Sequence, residues 1–154
     1  MESMTIAFFG HREIHNTSEL EETLLFTLNN ILGNDPCELL FGGYGMFDSL
    51  AYRCCRRLKE SGHSLKLVFV TPYISESYLK NQVEAKLLCF DEVIFPPIEK
   101  VPNKFRISAR NRYMVECTDI VITLVNREYG GAYSAYLHAK KSGKKVINLG
   151  KVDK

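Results

Sequence analysis

The sequence predicts an α/β fold: a Rossmann-like, mostly parallel sheet with helices on both faces, in a single domain. Three observations carry this expectation. Short β-branched or aromatic apolar runs of about six residues alternate with longer segments whose apolar positions fall three and four apart. Most of the short runs are continuously apolar, as parallel strands covered on both faces should be. The chain has 154 residues, enough to bury roughly 70% of its unfolded surface around one core, so one domain is expected over 1–154.

Strands are expected at Thr5 to Phe9, Glu38 to Phe41, Leu65 to Val70, Glu92 to Phe95, Ile120 to Val125 and Lys145 to Leu149. In the first helix Ser18 is the expected N-cap, and Glu21 stands at capping-box spacing from it. Leu20, Leu24, Leu28 and Ile31 form its buried stripe, and Gly33 lies just past its end. A second helix, Phe47 to Ser61, should bury Phe47, Leu50, Ala51, Cys54 and Leu58 and turn Arg53, Arg56 and Arg57 to water. Further helices are expected at Ser75 to Leu88, Lys104 to Cys117 and Gly131 to Ser142, the last stopped by Gly143. Phe95-Pro96-Pro97-Ile98 to Pro102 reads as an extended surface loop, a candidate lid or oligomer contact.

Composition narrows the function classes. Hydrophobic residues make up 45% and charged residues 25%, and no apolar run approaches the ~20 residues that span a bilayer. No membrane partner is expected. The start, Met1-Glu2-Ser3-Met4, lacks the basic, apolar and small-residue regions of a secretory signal, so a cytoplasmic location is expected. Five cysteines, Cys37, Cys54, Cys55, Cys89 and Cys117, form no C-x-x-C pair and have no histidine at zinc spacing. They read as small buried hydrophobes; no metal and no cofactor is expected. A net charge of +2 does not call for duplex DNA, so nucleic acid is not the expected partner.

In an open parallel sheet, ligands sit outside the carboxyl ends of the strands. The unusual loops all fall there: Gly10-His11-Arg12, Gly42-Gly43-Tyr44-Gly45, Thr71-Pro72-Tyr73, and Asn126-Arg127-Glu128-Tyr129 leading to Gly130-Gly131. Glycines let the backbone approach a ligand, and the following helix starts point N–H groups at an anion, so phosphate fits. Neither G-x-G-x-x-G nor a P-loop with its lysine is present, which disfavours those nucleotide chemistries. Arg12 reads either as a phosphate fork or as a surface loop residue; His11 either donates to the same group or bonds its own loop. Arg106 and Arg110, four apart on one helix face, form a candidate anion clamp whose alternative is a solvated basic face. Asp48 suits a ribose hydroxyl or the helix dipole, and Tyr44, Tyr73 and Tyr133 either stack on a base or pack. The candidate ligand-binding set is thus Gly10, His11, Arg12, Gly42, Gly43 and Tyr44, with Asp48, Thr71, Arg106, Arg110, Gly130 and Gly131.

The succession Phe9-Gly10-His11-Arg12, Phe41-Gly42-Gly43-Tyr44-Gly45-Met46-Phe47-Asp48, Arg110-Asn111-Arg112-Tyr113-Met114-Val115 and Gly130-Gly131, then Lys144-Lys145-Val146-Ile147, resembles the SLOG superfamily over nearly the whole chain. It is most similar to small stand-alone members with a G-H-R start. The resemblance implies a Rossmann-like domain whose glycine loops bind nucleotides or nucleotide-derived molecules. Relatives include phosphoribohydrolases of nucleoside monophosphates, DNA-processing proteins that bind single-stranded DNA, and sensors of ADP-ribose-type signals in antiviral defence.

The hydrolase branch carries Arg-Lys-x-x-Met and P-G-G-x-G-T-x-x-E. Here the first becomes Arg110-Asn111-Arg112-Tyr113-Met114, keeping the arginine. The second becomes Gly130-Gly131-Ala132-Tyr133-Ser134-Ala135-Tyr136-Leu137, with Leu137 at the glutamate position. Leucine can neither stabilise a cationic sugar nor activate water. The expectation is therefore a sensor or sequestering protein that binds a phosphate-bearing, nucleotide-derived small molecule without turnover. Nucleoside-5′-monophosphate N-glycosidase activity and single-stranded nucleic-acid binding stand as alternatives. A homo-oligomer is expected, with Ile98 and Tyr129 as apolar contacts.

Overall fold

Six strands form one sheet: β1 (Met4–Gly10), β2 (Cys37–Phe41), β3 (Leu65–Val70), β4 (Glu92–Ile94), β5 (Ile120–Leu124) and β6 (Lys145–Asn148). Their order is β4-β3-β2-β1-β5-β6, and every pairing is parallel. The computed structural model describes residues 4–43, 45–73 and 84–151. The helices are α1 (Thr17–Ile31), α2 (Met46–Glu60), α3 (Glu84–Leu87), α4 (Arg106–Glu116, led by a 3-10 turn at Asn103–Phe105) and α5 (Gly131–Lys141). The fold is thus the Rossmann-like α/β architecture expected. Most of the helix expected at Ser75 to Leu88 lies outside the described residues.

Strand alternation explains the two layers. Ile6 and Phe8 of β1 enter the same core as Leu24 and Leu28 of α1 and Phe47, Leu50 and Leu58 of α2. Ala7 and Phe9 face the opposite way, onto Met114 and Val115 of α4 and Ala135 and Ala139 of α5. Phe8 and Phe41 stack across neighbouring strands at 5.0 Å, and Phe41 meets Phe90 at 5.7 Å, so aromatics fill the first layer where its strands are longest. Cys37, Cys54 and Cys55 are buried; Cys89 and Cys117 are exposed.

The expected cap of α1 is corrected. The helix begins at Thr17, which puts Ser18 inside its first turn, and no side chain caps it. The entry residue is Asn16, in the left-handed region at φ 55°, whose carbonyl accepts from Leu20 N–H at 3.0 Å. Glu21 pairs instead with Arg57 of α2 at 3.1 Å, tying the two helices together. The proline loop also differs from an extended surface loop. Ile98 is buried, its N–H bonds Pro96 O, and Val101 N–H bonds Ile98 O, so Ile98 is enclosed by its own fold.

The chain steps from β1 outward to β4 and then returns to the other side of β1 as β5. Loops leaving β1 and β5 therefore diverge, and a crevice opens between them at the carboxyl edge.

Candidate functional site

The crevice measures about 480 Å³ and is floored by Phe8, Phe9 and Gly10 at the end of β1. Gly10 belongs there for packing. A Cβ at this position would lie 2.3–2.4 Å from three side-chain atoms of Phe47, one of them Phe47 Cβ, so only glycine lets α2 start against the strand. Gly42 is similar: a Cβ would lie 3.1 Å from the Arg110 guanidinium, which spreads over the glycine.

Arg110, only 4% exposed, reaches from α4 to the ends of two strands. Its Nη1 donates to Val70 O at 2.9 Å and Gly42 O at 3.2 Å, and its Nε donates to Asn111 Oδ1 at 2.8 Å. It thus cross-braces the carboxyl ends of β2 and β3 while forming one wall of the crevice.

Two helices start beside β1 with near-identical geometry. Gly45 precedes α2 at φ 98°, ψ 175°, and Gly130 precedes α5 at φ 98°, ψ 174°, a region essentially reserved for glycine. Electrostatically the two starts differ. Asp48, buried, lies in the first turn of α2 and lines the crevice, and Met46 N–H is taken by Arg12 O at 2.8 Å. The first turn of α5 carries no acidic residue and no side-chain cap. Among the described residues, no carbonyl outside the helix accepts from Gly131, Ala132 or Tyr133. The open positive end of a helix dipole thus faces the crevice at Gly131 and Ala132.

Cations complete the walls. Arg12 and Arg127, the latter from the loop after β5, both line the crevice; the Arg127 guanidinium stacks 4.6 Å from the ring centre of exposed Tyr129. His11 is buried in the same lining, and Asn126 N–H donates to its Nε2 at 3.1 Å, so the neutral ring carries its proton on Nδ1. Burial, reinforced by Arg127, lowers the His11 pKa and keeps it neutral. Asn148 of β6 anchors the start of the Arg127 loop. Its side-chain amide donates to Val125 O at 2.9 Å and accepts from Val125 N–H at 2.9 Å, copying a strand neighbour.

Of the residues expected from sequence, Gly10, His11, Arg12, Gly42, Asp48, Arg110 and Gly131 line this one crevice. Gly130 sets the start of α5, and Gly43 turns the chain at φ 69° against Phe69. Thr71 closes a turn, its hydroxyl donating to Tyr73 O and accepting from Tyr73 N–H, and is not part of the lining. Arg106 is directed elsewhere, donating to Val101 O and Glu99 O at 2.9 Å each, which straps the proline loop to α4. Tyr133 stacks on Tyr136 at 6.2 Å. Tyr44 lies outside the described residues. Sequence reading missed Arg127, Ile107 and Asn111 as lining residues; the position of Arg127 directly after β5, at the ligand edge of the sheet, was the available signal.

No protein-family model and no curated protein matches the sequence. Solved structures do. The fold is similar to that of DNA processing protein A. The Streptococcus pneumoniae protein superposes with a TM-score of 0.65 at 18% identity, over 95% of this chain and 50% of its own. DNA processing protein A from Helicobacter pylori, described in its single-stranded DNA binding mode, gives 0.62 at 18% identity, over 94% of this chain and 64% of its own. TM1055 gives 0.57 at 16% identity, over 93% and 72%. The chain therefore spans half of the first DNA processing protein A and under two thirds of the second. Among the described residues, no helix is long and apolar enough to cross a membrane, and no cluster of three metal-ligating side chains occurs.

Proposed function

We propose that the crevice binds a phosphate-bearing, nucleotide-derived small molecule and holds it without turnover. The observation that carries this reading is the start of α5, a helix N-terminus with no acid of its own, opening beside Arg127 into a crevice that Arg12 also lines. A phosphate there gains backbone N–H donors and two guanidinium forks, while Asp48 across the crevice suits a sugar hydroxyl. The volume of about 480 Å³ falls in the usual range for small-molecule sites. On this reading the chain is a SLOG-type domain acting as a cytoplasmic sensor or sequestering protein, as a homo-oligomer, in a role such as antiviral-defence signalling.

Lack of turnover rests on chemistry. Leu137 stands where the hydrolases carry glutamate, and it lines the neighbouring groove rather than the crevice. Among the described residues, Asp48 is the carboxylate in the crevice lining. It keeps nucleoside-monophosphate N-glycosidase activity as the second reading. The test is a thermal-shift screen of nucleoside monophosphates, NAD, ADP-ribose and cyclic nucleotides. A ligand at 100 times its dissociation constant should add about 2.7 kcal/mol. No shift with any of them would sink the proposal; free base released from AMP or CMP would replace binding with hydrolysis.

A further inference from the structure

Next to the crevice lies a second cavity of about 500 Å³, a groove between α4 and α5. Ile107, Asn111 and Gly131 line both, so the two cavities adjoin. Lys104, Arg112 and Lys141 line the groove, with Ser108 and Ser134 between them, and no carboxylate lines it among the described residues. Glu116, beside it, lies 3.5 Å from His138 Nε2.

Part of the basic surface outside this groove is paired with carboxylates. Arg56, Arg57, Lys59 and Lys66 each face a carboxylate within 3.7 Å, whereas Arg53 of α2 has no ion pair among the described residues. Among the described residues, Lys104, Arg112 and Lys141 have no ion-pair partner. Unpaired like charges around one concave surface focus a positive potential and repel one another until an anion arrives.

Resting on the reading of the crevice given above, we infer that the groove is a second anion subsite of the same ligand. The ligand class is then a dinucleotide-like molecule with two separated anionic groups, one at the start of α5 and one among Lys104, Arg112 and Lys141. α5 has 11 residues, about 16 Å, so its start in the crevice and Lys141 in the groove lie within reach of one such molecule.

The full chain is titrated calorimetrically with the four common nucleoside 5′-monophosphates and the four homodinucleotides that carry a 5′-phosphate. At least one dinucleotide should bind about 10- to 100-fold more tightly than its monophosphate, the gain expected from one further charged contact. Its affinity should also fall more steeply with salt. The triple variant Lys104→Gln, Arg112→Gln, Lys141→Gln should erase that gain. Monophosphate affinity should stay at the wild-type level in about 0.15 M salt, where screening over ~8 Å confines each charge to its subsite. Equal affinity for the two lengths, or a variant that weakens both alike, overturns the second subsite while leaving the crevice reading intact. Binding by neither length overturns the dinucleotide subsite, and the crevice reading falls with it if NAD, ADP-ribose and cyclic nucleotides also give no thermal shift. Affinity that keeps climbing through 5′-phosphorylated tetramers and octamers overturns the two-anion ligand in favour of a continuous strand.

Discussion

Replacing Arg110 with alanine should destabilise the fold as well as alter the crevice. The buried guanidinium serves Val70 O at 2.9 Å and Gly42 O at 3.2 Å, the carbonyls where β3 and β2 give way to their loops. Hydrogen bonds to a charged donor contribute about 1.5–3 kcal/mol each. In the variant, water from the crevice can reach Gly42 O, whereas the bond to Val70 O is buried and has no such substitute. The net cost is therefore about 2–4 kcal/mol, a drop of roughly 4–16 °C in Tm for a chain of this size. Urea denaturation is the assay, and the midpoint should fall with an unchanged m-value. Arg110→Lys should recover part of the loss, since a single ammonium cannot serve the carbonyls and Asn111 Oδ1 with one planar fork. An Arg110→Ala midpoint equal to wild type, with ligand affinity lost, would refute the cross-brace.

Three further outcomes are expected. Gly10→Ala should cost at least about 1–3 kcal/mol through overpacking against Phe47, and adding Phe47→Ala should not rescue it, because Phe47 Cβ is itself among the clashing atoms; restored stability in the double variant would contradict the geometry. Because the His11 pKa is lowered, the unfolded chain takes up a proton near pH 6.5 that the native chain refuses. Stability attributable to His11 is thus complete above that pH and falls as the pH drops toward the lower folded value. His11→Gln should flatten that part of the slope in urea midpoints taken at about pH 7.5 and 5.5, and parallel slopes would exclude this role. Arg127→Ala loses an exposed stack on Tyr129 worth about 0.5–1 kcal/mol, yet should weaken monophosphate binding about 10- to 100-fold in calorimetry; unchanged affinity would move the phosphate elsewhere.

The strands were legible because parallel strands covered on both faces are continuously apolar, and Leu65–Val70 matches its expected bounds. The positions of the strand-end glycines were legible for the same reason. What they do was less so: Gly10 and Gly43 read as ligand loops, yet each faces an aromatic ring that a side chain would strike. Helical spacing placed Arg106 beside Arg110, but a long side chain follows its nearest acceptors, and Arg106 finds the carbonyls of Glu99 and Val101. The start of α1 was misread because Ser18 and Glu21 have capping-box spacing, whereas the turn is set by the left-handed Asn16. Arg127 was missed although its loop was expected at the ligand edge, because which of that loop's side chains line the crevice depends on β5 lying next to β1, which the order of elements along the chain does not state.

The unequal helix starts have a consequence for stereochemistry. With the carboxylate of Asp48 at the head of α2 and an uncharged first turn at the head of α5, the two banks of the crevice differ in chemistry despite matching backbones. On the proposed reading a phosphate is drawn to the α5 bank, while the α2 bank offers the Asp48 carboxylate and Arg12 together. A molecule with a phosphate at one end and hydroxyls at the other would therefore enter in a single orientation, and 5′- and 3′-phosphate isomers of one nucleoside would not be equivalent to this protein.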